Sequence, residues 1–243
     1  MQPQSIQIPR PSETHVWQID LEQQESTTER FERLLSSDER GRSEQFHFDH
    51  LRERYILTHG ALRMILAGYF GKPPEKLQFG HGRFGKPFLV DPPVSIEFNL
   101  SHCEDLALVA ITDGRSVGID VEKVRELQYL DSIINRFFSA EEQRFITSVP
   151  AHVQARAFLT LWTRREAAAK ACGLNLAAAL GNLEIPTFPY GGGAVIGKTG
   201  GGDGTSRRSV DSWFLRDLEI GADHRGAVCV EGKMCELLVR EFK

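Results

Sequence analysis

Residues 117–124 read Val117-Gly118-Ile119-Asp120-Val121-Glu122-Lys123-Val124, and their alternation decides how the rest of the chain is read. Val117, Ile119 and Val121 fall on one side of an extended segment, Asp120 and Glu122 on the other. The stretch is therefore a strand carrying two carboxylates side by side. Asp113-Gly114 supplies the turn before it. Upstream, residues 96–102 and 106–112 form two strands joined by a short polar turn, and residues 87–90 form another. Earlier still, Leu51, Tyr55, Leu62, Ile65, Leu66 and Tyr69 recur at helical spacing. They predict a helix over 49–70, stopped by Gly71 and Pro73-Pro74. A short helix is expected over 27–36 and an opening strand over 15–21 (HVWQIDL). Downstream the chain turns helical. Ser139 and Glu142 make a capping box opening a helix to residue 148. A second helix runs over 151–172 and closes at Gly173. After a glycine-rich stretch, 191–204, expected as a mobile hairpin loop, strands return over 213–220 and 226–231.

Strand, helix, strands is thus followed by strand, helices, strands. That is a sandwich-like α+β plan in two halves with a boundary near residue 115. The expected organisation is a disordered lead over 1–14, an N-terminal subdomain over 15–115 and a C-terminal subdomain over 116–243.

Composition narrows the function classes. The chain has 243 residues, 41% hydrophobic and 26% charged, which excludes general disorder and fibrous structure. With 29 basic and 33 acidic residues the net charge is −4, so no bulk basic field holds nucleic acid. Apolar runs fall short of the roughly 20 residues that span a bilayer, and the polar start lacks an apolar leader. Cys103, Cys172, Cys229 and Cys235 include no CxxC pair. They read as thiols in a reducing compartment, hence a soluble cytoplasmic protein.

Three patterns carry possible chemistry. Residues 192–199 match GxxxxGK[ST], but more glycines follow where a helix should. Gly114-Arg115-Ser116-Val117-Gly118 matches GxSxG, which needs a strand, a sharp turn and a helix; here the continuation is β-like. The third is distributed. Asp120 and Glu122 are hard oxygen ligands of the kind Mg²⁺ takes. On the 151–172 helix, Trp162, Glu166 and Lys170 step by four along the edge of an apolar face. Spacing alone reads Glu166 and Lys170 as a surface ion pair; beside the other two acids, they read as a third ligand and an ammonium for phosphate. Arg52, Arg54 and Arg63 on the long helix, Lys86 before a strand and Ser101-His102 at a strand end complete a set suited to phosphate and metal.

Five stretches in order resemble the Sfp-type 4′-phosphopantetheinyl transferases. They are Phe84-Gly85-Lys86-Pro87, Phe98-Asn99-Leu100-Ser101-His102, Gly118-Ile119-Asp120-Val121-Glu122, Phe137-Phe138-Ser139-Ala140-Glu141-Glu142 and Trp162-Thr163-Arg164-Arg165-Glu166-Ala167-Ala168-Ala169-Lys170. Arg165 stands where that family usually has Lys, which keeps the charge but changes the geometry. The resemblance implies two similar subdomains forming a pseudo-dimer within one chain, acting as a monomer, with coenzyme A bound in the cleft between them. It implies transfer of the phosphopantetheine arm to a serine of an apo acyl-carrier or peptidyl-carrier protein, releasing 3′,5′-adenosine bisphosphate. Asp120, Glu122 and Glu166 would hold Mg²⁺. The catalytic set would be Asp120, Glu166 and Lys170, with Glu166 or Lys170 as the base, directly or through water. Nearby carboxylates oppose the lowered pKa that a basic lysine needs, which favours Glu166 and leaves Lys170 for phosphate. Lys86, Ser101 and His102 would contact the cofactor's phosphates, with Arg54, or Arg52 in its place, as a further contact. Residues 128–136 would meet the carrier. Competing readings are an inactive binding or regulatory protein of the same fold and a serine hydrolase using Ser116.

Overall fold

A helix with an apolar stripe needs a sheet to cover it, and each half of the chain supplies one. In the computed structural model the described residues are 5–90, 95–175, 178–179, 183–187, 193–194, 196–197, 213–233 and 235–243. They divide into two units, Met1–Gly114 with Glu236–Lys243, and Arg115–Cys235. The first contains β1 (Glu13–Asp20), α1 (Thr28–Glu32), α2 (Ser37–Ser43), α3 (Asp49–Phe70), β2 (Phe79–His81), β3 (Pro87–Leu89), β4 (Ile96–Cys103) and β5 (Leu106–Asp113). The second contains β6 (Val117–Lys123), α4 (Leu130–Phe137), α5 (Ala140–Thr147), α6 (Ala151–Cys172), β7 (Leu183–Glu184), β8 (Gly193–Ala194), β9 (Ile196–Gly197), β10 (Trp213–Leu218) and β11 (His224–Glu231). The final strand, β12 (Glu236–Glu241), returns to the first unit.

In the first unit the sheet runs β12-β1-β5-β4, with β1 antiparallel to β5 and parallel to β12. Ile56, Leu57, Leu62, Ile65 and Leu66 of α3 pack with Ile19, Phe98, Val109 and Ile111 from the strands. The α3 stripe thus meets the alternate residues of β5, 3.6 against 2 in period. In the second unit β6-β11-β10-β8 is antiparallel throughout. Ala167, Ala168 and Ala171 of α6 pack with Ala227, Cys229 and Leu215. These small side chains bring the α6 backbone close to the sheet. At Gly118 the approach is closest: a Cβ there would overlap Ala167 and Ala171 backbone atoms. The other side of α6 carries Phe158, Leu159 and Leu161, packed with Ile134 of α4, Ile146 of α5 and Phe138 between them.

Helices α3 and α6 fall where their periodicity places them, and both end in a left-handed glycine, Gly71 and Gly173. Elsewhere the elements differ from the sequence reading. The expected 27–36 helix is shorter as α1, and α2 follows it, opened by a Ser36–Glu39 capping box. The lead expected to be disordered holds Glu13 and Thr14 in β1, and the Ile6 N–H donates to the Gly68 carbonyl at 3.0 Å. Residues 130–137 are a helix, and β12 was not foreseen. Of the glycine-rich 191–204 stretch, only the backbone pairs of β8 and β9 are described; the rest lies outside the described residues. No helix among the described residues is long and apolar enough to cross a membrane, and none of the four cysteines forms a disulfide.

Candidate active site

The strand β6 and the helix α6 build the site from opposite sides of the Gly118 contact. Because Gly118 faces α6, so do Asp120 and Glu122, two and four residues on. Asp120 is 4% exposed. Lys170 Nζ donates to Asp120 Oδ1 at 2.6 Å and to the Ile119 carbonyl at 3.2 Å. The ammonium therefore pairs across the strand–helix contact, not with Glu166 one turn back on its own helix. Glu122 and Glu166 stand in the field of this pair. Burial holds the Glu122 carboxyl above the usual carboxylate range, Asp120 and Glu166 push it further, and Arg125 and Lys170 oppose them. Burial also raises Glu166, with Asp120 adding to it and Lys170 opposing. All three acids thus feel the Lys170 ammonium, which bonds Asp120.

No three of the described His, Cys, Asp and Glu side chains stand close enough together, as placed, to hold a metal ion. The donor chemistry nonetheless fits a hard divalent cation. All three side chains are oxygen donors, their charge exceeds that of Lys170, and two are pushed toward protonation by crowding and burial. A cation among Asp120, Glu122 and Glu166 would relieve that repulsion.

Residues flanking Glu166 are structural anchors. Arg164 makes a two-pronged bond to Asp217, Nε at 2.7 Å and Nη2 at 2.6 Å, and Nη1 reaches the Pro186 carbonyl at 2.7 Å. Arg165 pairs with Glu142, both side chains under 5% exposed. Sequence reasoning saw the Ser139–Glu142 capping box but not that Glu142 also receives Arg165; two opposite charges at buried helix positions were the available signal.

The remaining predicted residues lie in the first unit. Lys86 follows Gly85, whose φ is +81° in the turn joining β2 to β3. Ser101 and His102 are adjacent on β4, Ser101 buried and His102 exposed. Arg54 lies half-buried in α3. Its proposed substitute, Arg52, is engaged with Glu32 at 2.6 Å. Arg63 is 1% exposed and bound to Glu39 and to the carbonyls of Pro74 and Leu77; it is a core residue, not a ligand contact.

The GxSxG match lacks the setting its chemistry requires. The Ser116 N–H donates to Glu231 Oε2 at 3.0 Å, and the chain continues into β6, so no helix follows as an elbow requires. Gly192, Val195, Lys198 and Thr199 of the GxxxxGK[ST] match lie outside the described residues.

Residues 116–229 match the family model described as the 4′-phosphopantetheinyl transferase superfamily. The 4′-phosphopantetheinyl transferase HetI of Nostoc sp. is 37% identical over 222 residues, 90% of this chain and 88% of the relative. The 4′-phosphopantetheinyl transferase psf-1 of Bacillus pumilus is 32% identical over 155 residues, covering 64% of this chain and 65% of that protein. The Bacillus subtilis 4′-phosphopantetheinyl transferase ffp is 26% identical over 217 residues, 87% and 88% of the two chains. The chain belongs to the 4′-phosphopantetheinyl transferase superfamily, and it is a transferase enzyme.

Proposed function

We propose that this chain moves the 4′-phosphopantetheine arm of coenzyme A onto a serine of an apo acyl-carrier or peptidyl-carrier protein, with Mg²⁺, and releases 3′,5′-adenosine bisphosphate. The observation that carries this reading is the Lys170 ammonium, bonded to Asp120 and felt by Glu122 and Glu166, at the β6–α6 contact. These three carboxylates would hold the cation. Bound there, it supplies charge neutralisation at the pyrophosphate. The carrier serine Oγ bonds to the phosphorus, the bond to the adenosine bisphosphate oxygen breaks, and the serine proton passes to a base. Lys170 Nζ is already engaged by Asp120 at 2.6 Å, which supports Glu166, directly or through water, as that base. Lys170 then meets phosphate.

Lys86, Ser101, His102 and Arg54 bind the cofactor's phosphates, chiefly the 3′-phosphate. The exposed His102 and the turn position of Lys86 support this, since phosphate recognition needs donors that a ligand can reach. Residues 128–136 meet the carrier, with exposed Tyr129 at the head of α4 and Arg136 at its end suited to an acidic partner. Fatty-acid, polyketide and peptide-synthetase carriers all present the required serine.

The two units are repeats of one plan, a pseudo-dimer within a chain that acts as a monomer. Each has a Ser-x-x-Glu capping box, a 22-residue helix bearing the arginine that meets its glutamate, and a left-handed glycine after it. Absence of disulfides supports a reducing, cytoplasmic setting.

The test is stoichiometry. Incubated with coenzyme A, Mg²⁺ and an apo carrier, the enzyme should release one adenosine bisphosphate per carrier modified, and none with a serine-to-alanine carrier. Equal release without the serine would identify a hydrolase and contradict the reading.

A further inference from the structure

Glu142 has two oxygens and uses each for a different element. Oε2 accepts from the Ser139 N–H at 2.8 Å, closing the cap of α5. Oε1 accepts from Arg165 Nη2 in the middle of α6. The guanidinium also lies over the Phe138 ring at 5.5 Å, and Phe138 packs on Phe158, which stacks on Trp162. Successive helical residues differ by about 100° about the axis. Holding Arg165 against α5 therefore fixes where Glu166, the next residue, points.

The first unit provides an internal comparison. Its Glu39 likewise serves the Ser36 N–H, at 2.8 Å, and an arginine, Arg63. Arg63 has a full set of partners: Nε and Nη2 on Glu39 at 2.8 and 2.7 Å, Nη1 on the Pro74 and Leu77 carbonyls at 2.8 and 3.1 Å. It ties down the chain after α3, and the residue beside it is Met64, with no charge to orient. Arg165 Nε, in contrast, is buried without a hydrogen-bond partner among the described residues. Its anchoring rests on Glu142, and its neighbour is the acid of the site.

We propose that the Glu142–Arg165 pair is a positioning device that sets the rotation of α6 so that Glu166 and Lys170 face Asp120. Arg63 holds the fold of its unit; Arg165 holds the geometry of the reaction. The inference rests on the transferase reading above.

The experiment compares the full-length wild type with Arg165→Met, Arg165→Lys, Glu142→Gln and Arg63→Lys. For each, kcat, KM for coenzyme A and the thermal unfolding midpoint are measured, with rates taken per folded molecule. Arg165→Met should lower kcat about ten- to hundred-fold with KM for coenzyme A nearly unchanged. Arg165→Lys, which keeps one bond to Glu142, should recover most of that loss. Arg63→Lys should lower the midpoint and leave kcat alone. If Arg165→Met is unfolded, Glu142→Gln carries the comparison, since its amide oxygen can still cap α5 while the ion pair is gone. Wild-type kcat in a folded Arg165→Met or Glu142→Gln enzyme, or a loss confined to the midpoint as in Arg63→Lys, overturns the proposal alone. Absence of transfer by the wild type overturns the transferase reading and this inference with it.

Discussion

Lys170 lies four residues from Glu166 and 50 from Asp120, yet its ammonium goes to the distant acid. Burial explains the choice. Asp120 is almost inaccessible to water, so its charge is costly without a partner. Replacing Lys170 with Met should lower turnover by about two orders of magnitude, as loss of a charge aimed at the reacting phosphate does elsewhere, and raise KM for coenzyme A; steady-state kinetics decide, and unchanged values would remove Lys170 from the site. The crowded acids carry a second prediction. Mg²⁺ binding only the folded state stabilises it by about 1.4 kcal/mol at ten times its Kd. The unfolding midpoint of the wild type should rise with Mg²⁺, and that of Glu166→Gln should rise less. Equal shifts would place the cation elsewhere. The shared strand face of Asp120 and Glu122 was legible from their i, i+2 spacing; Glu166 and Lys170 read by spacing as a surface ion pair and entered the candidate site through the family resemblance. The direction of Lys170 was not legible, because spacing records neighbours within an element and not partners across two.

At the scale of elements, the Gly118 contact sets the distance between β6 and α6. Gly118→Ala forces a Cβ into the Ala167 and Ala171 backbone, and backbone cannot yield as a side chain can. The substitution should cost about 1–3 kcal/mol of stability and lower kcat by about a hundred-fold if α6 moves by 1 Å. Denaturant unfolding and kinetics measure both, and a wild-type-like Gly118→Ala enzyme would mean that the contact does not define the site. Helices α3 and α6 could be read to the residue because a long apolar period is bounded by a left-handed glycine. The polar α2 (SDERGRS) has no apolar stripe, and its only signal was the Ser36–Glu39 cap. The helix α4 carried no sequence signal of its own, since eight residues are too few to establish a period; residues 128–136 entered only through the family resemblance, as a surface for the carrier. Strand β12 is legible only through β1, against which Glu236 to Glu241 pair with Glu13 to Gln18, a register far too distant in sequence to be seen in a local pattern.

For the whole molecule, β12 closes the chain onto its first strand, and a buried histidine sits at that closure. His15 Nδ1 lies 2.6 Å from Tyr69 Oη, which accepts from Trp17 Nε1 at 3.0 Å. His15 Nε2 lies 3.5 Å from Arg240 Nη2, which can only donate, and 3.8 Å from Glu13 Oε2. Burial, reinforced by Arg240 and opposed by Glu13, lowers the His15 pKa from 6.5 to about 4. Burial pushes Tyr69 up to about 12. An unfolded chain takes up the His15 proton below pH 6.5 while the folded chain refuses it down to about 4. Stability should therefore fall as pH drops through this window, by up to about 3 kcal/mol from this residue. Urea midpoints between pH 7 and 4.5 test this, with a shallower decline expected in His15→Gln; parallel curves would exclude His15 as the cause.

The central claim is that Asp120, Glu122, Glu166 and Lys170 form the reacting centre of a phosphopantetheinyl transferase. Its most direct test is the intact mass of an apo carrier protein after incubation with coenzyme A, Mg²⁺ and either wild-type enzyme or Asp120→Ala, both folded by circular dichroism. The account predicts a gain of about 340 Da on the carrier serine with the wild type and none with Asp120→Ala. The same gain at the same rate from both enzymes, or none from the wild type, would contradict it.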